Sequence, residues 1–195
     1  MALERARAAL GVAEREPEHW KRLLLVAAAV AAALEPDPAY VVGGMVVESY
    51  TQGSYMTRDI DFASALLREQ IAPRIEPLGF ERLPSGSWIH PRLRVVLDFP
   101  GRLDPEEMSR LVTVDLGGGV SIRILSLEDI LLDRLQAAVH WGDLASEEWV
   151  RHMLAAHADR IDWRLLATMA QAAGCADLLA RLKAEARPGA APEVH

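Results

Sequence analysis

The chain has 195 residues, a formal net charge of −7, and 51% apolar against 25% charged residues. That balance belongs to a globular protein and excludes a disordered, collagenous or fibrous chain. The single cysteine, Cys175, excludes a disulfide scaffold and a cysteine-cluster zinc site, and the acidic excess excludes a general nucleic-acid coat, which needs a basic face.

The first residues mix Glu4, Glu14 and Glu16 with Arg5, Arg7 and Arg15, without the cationic start and apolar middle of a signal peptide. The longest apolar run, 23–34, falls short of the about 20 residues a spanning helix needs, so it reads as a buried helix. These features point to a cytoplasmic protein with no membrane partner.

Residues 1–16 are charged and alanine-rich and read as a short loose helix, an N-terminal extension. Pro17 suits the first turn of a helix running to Leu34, which Glu35-Pro36-Asp37-Pro38 ends. A short apolar strand, 39–42, leads into Gly43-Gly44, and 45–50 follows as a short helix stopping near Gln52-Gly53. Residues 57–63 alternate polar and apolar, the signature of a half-buried strand. Residues 66–78 read as a helix weakened by Pro73. Two short strands, 80–83 and 88–90, flank the turn Pro84-Ser85-Gly86. Residues 92–99 form a strong strand closed by Pro100-Gly101, and a second hairpin joins 111–116 to 120–125 around Gly117-Gly118-Gly119. That glycine run lacks the Gly-Lys-Ser/Thr of a phosphate loop.

After Ser126 the pattern turns helical. Ser126 with Asp129 caps a run to about Trp141, Ser146 with Glu147 and Glu148 opens another helix, Asp162 caps a third, and the last runs to about Ala186. The expected organisation is an extension at 1–16, an α/β core at 17–125, a helical region at 126–186 and a flexible tail at 187–195. The fold class is α+β, a mixed sheet with flanking helices and a C-terminal helical bundle.

The most informative triplet is Asp59-Ile60-Asp61. Strand residues two apart share a face, so Thr57, Asp59 and Asp61 fall on one side, and Arg58, Ile60 and Phe62 on the other. Two carboxylates that close repel unless something positive lies between them, and oxygen-only ligands favour Mg²⁺ or Mn²⁺. Gly43-Gly44 at a strand-to-helix turn lets the backbone approach a phosphate, with the helix N-terminus favouring the anion. Asp98 is the one acid of the strand 92–99. If that strand lies beside the Asp59 strand, three carboxylates converge, as two-metal phosphoryl or nucleotidyl displacement requires. Ser54 and Thr57 can donate to a phosphate oxygen or simply close their loop. Arg134 can face a cleft or pair with Asp133 or Glu128.

The remaining candidates read as structural. His90, His140, His152 and His157 show no zinc spacing. Trp141, Trp149 and Trp163 read as packing anchors. Trp88, borne on a hairpin, can instead stack on a base. Cys175 has no basic neighbour and reads as inert.

Gly43-Gly44, then Thr57-Arg58-Asp59-Ile60-Asp61, then Asp98, resembles the nucleotidyltransferase superfamily typified by DNA polymerase β. The stretch 40–62, with Ile124-Leu125-Ser126-Leu127-Glu128-Asp129 and Asp133-Arg134, resembles bacterial nucleotidyltransferase-like proteins related to the abortive-infection type IV toxins. Where such proteins carry an arginine two residues before the threonine, Tyr55 stands here. The resemblance implies Asp59, Asp61 and Asp98 as catalytic metal ligands. It implies Gly43 and Gly44 as the nucleotide-phosphate turn, with Ser54, Thr57 and Arg134 as further nucleotide-binding candidates.

The implied activity is metal-dependent transfer of a nucleoside monophosphate from a nucleoside triphosphate to a hydroxyl. The acceptor is a protein, a tRNA or a small molecule, and the setting a toxin–antitoxin or phage-defence system. The rival reading is the same fold with degraded catalysis, an antitoxin-like module binding a protein partner or a second copy. A carboxylate-based nuclease ranks third.

Overall fold

A computed structural model describes residues 2–117 and 119–186. The expected tail 187–195 lies outside the described residues. The chain divides after Leu125 into two compact units.

The first unit opens with helices α1 (Ala2–Ala13) and α2 (His19–Leu34). Ala6, Ala9, Leu10 and Ala13 of α1 are buried, so this helix is packed, not loose as the charged sequence suggests. Its small side chains allow close approach to α2, whose contacts with α1 are extensive. In α2 every residue from Leu23 to Val30 is buried. A helix apolar all round must be covered all round, and α2 also touches the sheet and two later helices.

Strand β1 (Ala39–Val42) runs into α3 (Gly44–Tyr50), and β2 (Asp59–Ser64) returns beside it. Helix α4 (Arg68–Ile75) and a 3-10 turn (Glu76–Leu78) lead to the hairpin β3 (Glu81–Arg82) and β4 (Trp88–His90). Then follow β5 (Val95–Gly101), helix α5 (Pro105–Arg110) and the hairpin β6 (Val112–Asp115) and β7 (Ser121–Ile124). Among the described residues seven strands form one mixed sheet, in the order β3-β4-β5-β2-β1-β7-β6.

Its core face carries Ile60, Phe62, Val95 and Leu97, all buried, with Phe62 stacked on Phe99 at 5.4 Å between ring centroids. The alternation puts Asp59, Asp61, Val96 and Asp98 on the other face.

Strand β5 departs from its expected bounds at both ends. It starts at Val95 because Arg94 is left-handed (φ 56°), its N–H donating to the His90 carbonyl in a tight turn. It continues through Pro100 because the register with β2 shifts there, and a bulge tolerates a residue without an N–H. Helix α5 was not expected. Asp104 caps it reciprocally with Glu107, and Pro105 occupies its first turn.

The second unit consists of α6 (Leu127–Trp141), α7 (Leu144–Ala156), α8 (Trp163–Ala172) and α9 (Ala176–Glu185). Ser126 caps α6 through the Asp129 N–H, and Asp162 caps α8. Asp143, not Ser146, caps α7, accepting from the N–H groups of Ala145 and Ser146. Gly174, at φ 70°, separates α8 from α9. No described helix is long and apolar enough to cross a membrane.

Candidate functional site

The site is organised by one row across three neighbouring strands. Val42 of β1 pairs with Asp61 of β2, and Asp61 pairs with Asp98 of β5. Paired residues of adjacent strands share a face, so the two carboxylates are direct sheet neighbours. Asp59, two residues earlier on the same face, pairs with Val96.

Gly43 follows Val42 directly and takes φ 64°, ψ −146°, a conformation reserved for glycine. A Cβ there would lie 2.4 Å from Asp61 Oδ2, so the turn between β1 and α3 lies against the carboxylate. A Cβ on Gly44 would lie 3.1 Å from the Tyr55 hydroxyl and 3.6 Å from Thr57 Oγ1. The structure therefore brings Gly43, Gly44, Thr57 and Asp61 together.

Among the described residues, no three His, Cys, Asp or Glu side chains stand close enough to hold a metal ion between them. The donor set is nevertheless of the right kind. Asp59, Asp61 and Asp98 offer only carboxylate oxygens, on one face, which suits a hard divalent cation.

Two residues that the sequence does not single out fix the segment before Asp59. Glu48, on α3, is fully buried, and its Oε2 accepts the Thr57 N–H at 2.7 Å. His19, on α2, has Nε2 at 2.7 Å from the Thr57 carbonyl and Nδ1 at 3.1 Å from Arg22 Nη2. A carbonyl only accepts and a guanidinium only donates, so the imidazole proton sits on Nε2. Thr57 is thus held at both of its peptide groups. Its Oγ1 accepts in turn from the Asp59 N–H at 3.2 Å.

Burial raises the Glu48 pKa above its ordinary value, opposed by the Thr57 N–H and by His19. Its one visible signal in the sequence is an acid directly after the apolar stretch Met45-Val46-Val47 of a short helix. His19 has none, because its partner is a distant backbone carbonyl.

No family model matches the chain, and no curated protein matches it in sequence. Among solved structures it is similar to an antigenic nucleotidyltransferase-like protein from Paracoccidioides brasiliensis, at 15% identity over 88% of this chain and 94% of that one, with a TM-score of 0.56. The fold is nucleotidyltransferase-like. The antibiotic-resistance factor ANT(2'')-Ia also matches in its solution structure, at 20% identity over 84% of this chain and 89% of that one, with a TM-score of 0.45. Its crystal complex with adenylyl-2''-tobramycin matches at 20% identity over 84% and 97%, with a TM-score of 0.45.

Within this nucleotidyltransferase-like fold the other candidates fall as follows. Ser54 is exposed, and its N–H donates to the Thr51 carbonyl. Arg58 immediately precedes β2, its carbonyl accepts the Val96 N–H at 3.1 Å, and it lines the same cleft as Asp59. Arg134, on α6 of the second unit, donates to Asp133 Oδ2 from Nε and Nη2 at 2.9 and 2.5 Å. Trp88 is 1% exposed and packs in the core, so it offers no stacking platform. Cys175 is buried, which raises its thiol pKa. His90 is buried too, its pKa lowered by desolvation, and its Nδ1 accepts the Leu93 N–H.

Proposed function

We propose that the chain transfers a nucleoside monophosphate from a nucleoside triphosphate to a hydroxyl acceptor. The observation that carries this reading is the row Val42–Asp61–Asp98, with Gly43 set against Asp61. It places a backbone turn free of side chains beside paired carboxylates. Backbone N–H groups of the Gly43-Gly44 turn and the opening of α3 bind triphosphate oxygens, since the first turn of a helix leaves such donors without internal partners. Thr57 and Ser54 add hydroxyl donors from the loop.

Asp59 and Asp61, joined by Asp98, would hold Mg²⁺ or Mn²⁺. Bound there, such an ion lowers the pKa of the attacking hydroxyl and offsets charge on the leaving pyrophosphate. In the reaction the acceptor oxygen bonds to the α-phosphorus and the bond to the pyrophosphate breaks. Asp98 takes the hydroxyl proton. The clamp on Thr57 by Glu48 and His19 acts before the chemistry, fixing where Asp59 stands.

The resemblance of 40–62 to abortive-infection relatives extends this reading to a bacterial, cytoplasmic toxin–antitoxin or phage-defence protein. A second reading keeps the fold and drops the catalysis, leaving a partner-binding module. The spacing of the carboxylates favours it, because no three ligands stand close enough together among the described residues.

Isothermal titration of ATP, GTP, CTP and UTP with Mg²⁺ or Mn²⁺ separates the two. The transferase reading expects metal-dependent binding of at least one nucleotide, weakened about tenfold or more by Asp59→Asn with Asp61→Asn, since each lost charge-assisted contact is worth about 1.5–3 kcal/mol. Absence of binding by all four rejects it in favour of the partner-binding module.

A further inference from the structure

On the β4 side of Asp59 lies an open cleft of about 920 Å³, within the size range of small-ligand sites. Its floor includes Val96 and Ile89, which pair with each other across β5 and β4, and Val96 pairs with Asp59. The floor therefore continues the sheet face that carries the carboxylates.

The rim has a sign opposite to that of the whole chain. Arg22, Arg58 and Arg94 line the cleft against the single acid Asp59, in a protein of net charge −7. Several arginines elsewhere are answered by acids, as in Arg74 with Asp37, Arg134 with Asp133, and Arg181 with Glu147, whereas these converge on one cleft. Among the described residues neither Arg58 nor Arg94 has an acidic partner. Arg94 is moreover left-handed, where an L side chain is strained and glycine would be at ease. A strained, unpaired arginine at the edge of a cleft calls for a ligand rather than a packing role.

We infer that this cleft takes a phosphate-bearing acceptor, whose phosphate engages Arg58 and Arg94 while its hydroxyl extends past Asp59 toward Asp98 on the same sheet face. The inference rests on the transferase reading and deepens it. The sheet order puts the Gly43-Gly44 turn on the β1 side of Asp59 and the arginine cleft on the β4 side, so donor and acceptor reach the carboxylates from opposite flanks. Planar guanidinium groups suit phosphate oxygens, the apolar floor suits the body of the acceptor, and a polycationic acceptor is disfavoured.

The same phosphate chemistry can come from a small phosphorylated alcohol or from an RNA strand. Two probes separate them: glycerol 3-phosphate by calorimetry and a short fluorescein-labelled single-stranded RNA by anisotropy. Each is measured on wild type, Arg58→Ala and Arg94→Gly, with ATP·Mg²⁺ binding measured in parallel. The expected result is that at least one probe binds wild type and weakens about tenfold in each variant, with ATP unchanged, as for one charge-assisted contact. Arg94→Gly is also expected to raise the melting temperature, because it relieves the left-handed strain while removing the contact. That pairing of higher stability with weaker binding is one a structural role does not produce.

The inference is overturned if neither probe binds, if both variants bind as wild type does, or if the variants weaken ATP as much as the probe. The last outcome would assign the arginines to the triphosphate. Failure of all four nucleoside triphosphates to bind wild type rejects the transferase reading, whereas the site in the cleft is decided by the probes alone.

Discussion

Gly43 and Gly44 are adjacent, yet the structure asks different things of them. Alanine at 43 would meet Asp61 Oδ2 at 2.4 Å in a backbone conformation that only glycine takes readily. Gly43→Ala is expected to cost about 2 kcal/mol or more, from strain of about 1–3 kcal/mol plus displacement of Asp61, and to weaken metal-dependent nucleotide binding. Gly44→Ala is tight only against the Tyr55 side chain, at 3.1 Å, meets Thr57 Oγ1 at an ordinary 3.6 Å, and has no positive φ. It is expected to cost less than about 1 kcal/mol, as a volume change absorbed by a movable ring. Thermal unfolding and nucleotide titration of the two variants check the contrast. Glu48 carries a pH signature. Burial raises its pKa, so the folded protein binds its proton more tightly than the unfolded chain does. Its contribution to stability is therefore largest at acid pH and declines as pH rises from the ordinary glutamate value through the raised one. In Glu48→Gln the amide oxygen keeps the Thr57 N–H bond without the titration. Urea unfolding across pH should show the variant gaining on wild type as pH rises, and parallel curves would refute the assignment.

At the scale of elements, local chemistry was largely legible and long-range pairing was not. Pro84-Ser85-Gly86 announced the β3–β4 hairpin, and Ser126 and Asp162 announced the starts of α6 and α8, because turns and caps are written within a few residues. The Gly-Gly turn and the Asp-x-Asp strand were legible for the same reason. The pairing of Asp98 with Asp61 joins residues far apart in the chain, and only the lone acid in an apolar strand hinted at it. Helix α5 did have a signal, Asp104 with Pro105 and Glu107, hidden by the shortness of the helix it opens. The left-handed Arg94 had none, since nothing in its residue type favours φ above zero. The clamp on Thr57 was equally silent, because it joins α2 and α3 to a loop through a backbone group. A cap is also the cheapest element to test. Ser126 Oγ accepts the Asp129 N–H at 3.1 Å in a buried setting. Ser126→Ala should lose about 1 kcal/mol of stability, read as a lower melting temperature with unchanged helical circular dichroism. No shift would mean that another group satisfies that N–H.

For the molecule as a whole, a single thiol offers a direct probe of folding. Cys175 is 1% exposed, sits between α8 and α9, and has a pKa raised by burial. Both facts suppress reaction, since a reagent needs access and attacks through the thiolate. Labelling in the native state must therefore wait for opening. With stabilities of about 5–15 kcal/mol typical of folded domains, the labelling rate should fall by about a thousandfold or more relative to the protein in guanidinium, where one equivalent should react promptly. The pH dependence has a fixed sign. The folded state holds the thiol proton above its ordinary pKa, so stability falls as pH rises past that value, and Cys175→Ala should remove that part of the decline. Fast labelling of native protein would locate a low-energy opening at the Gly174 break between the two helices, where φ is 70°. Slow labelling that tracks denaturant in step with the loss of circular dichroism would mean that Cys175 is uncovered only when the helical unit unfolds.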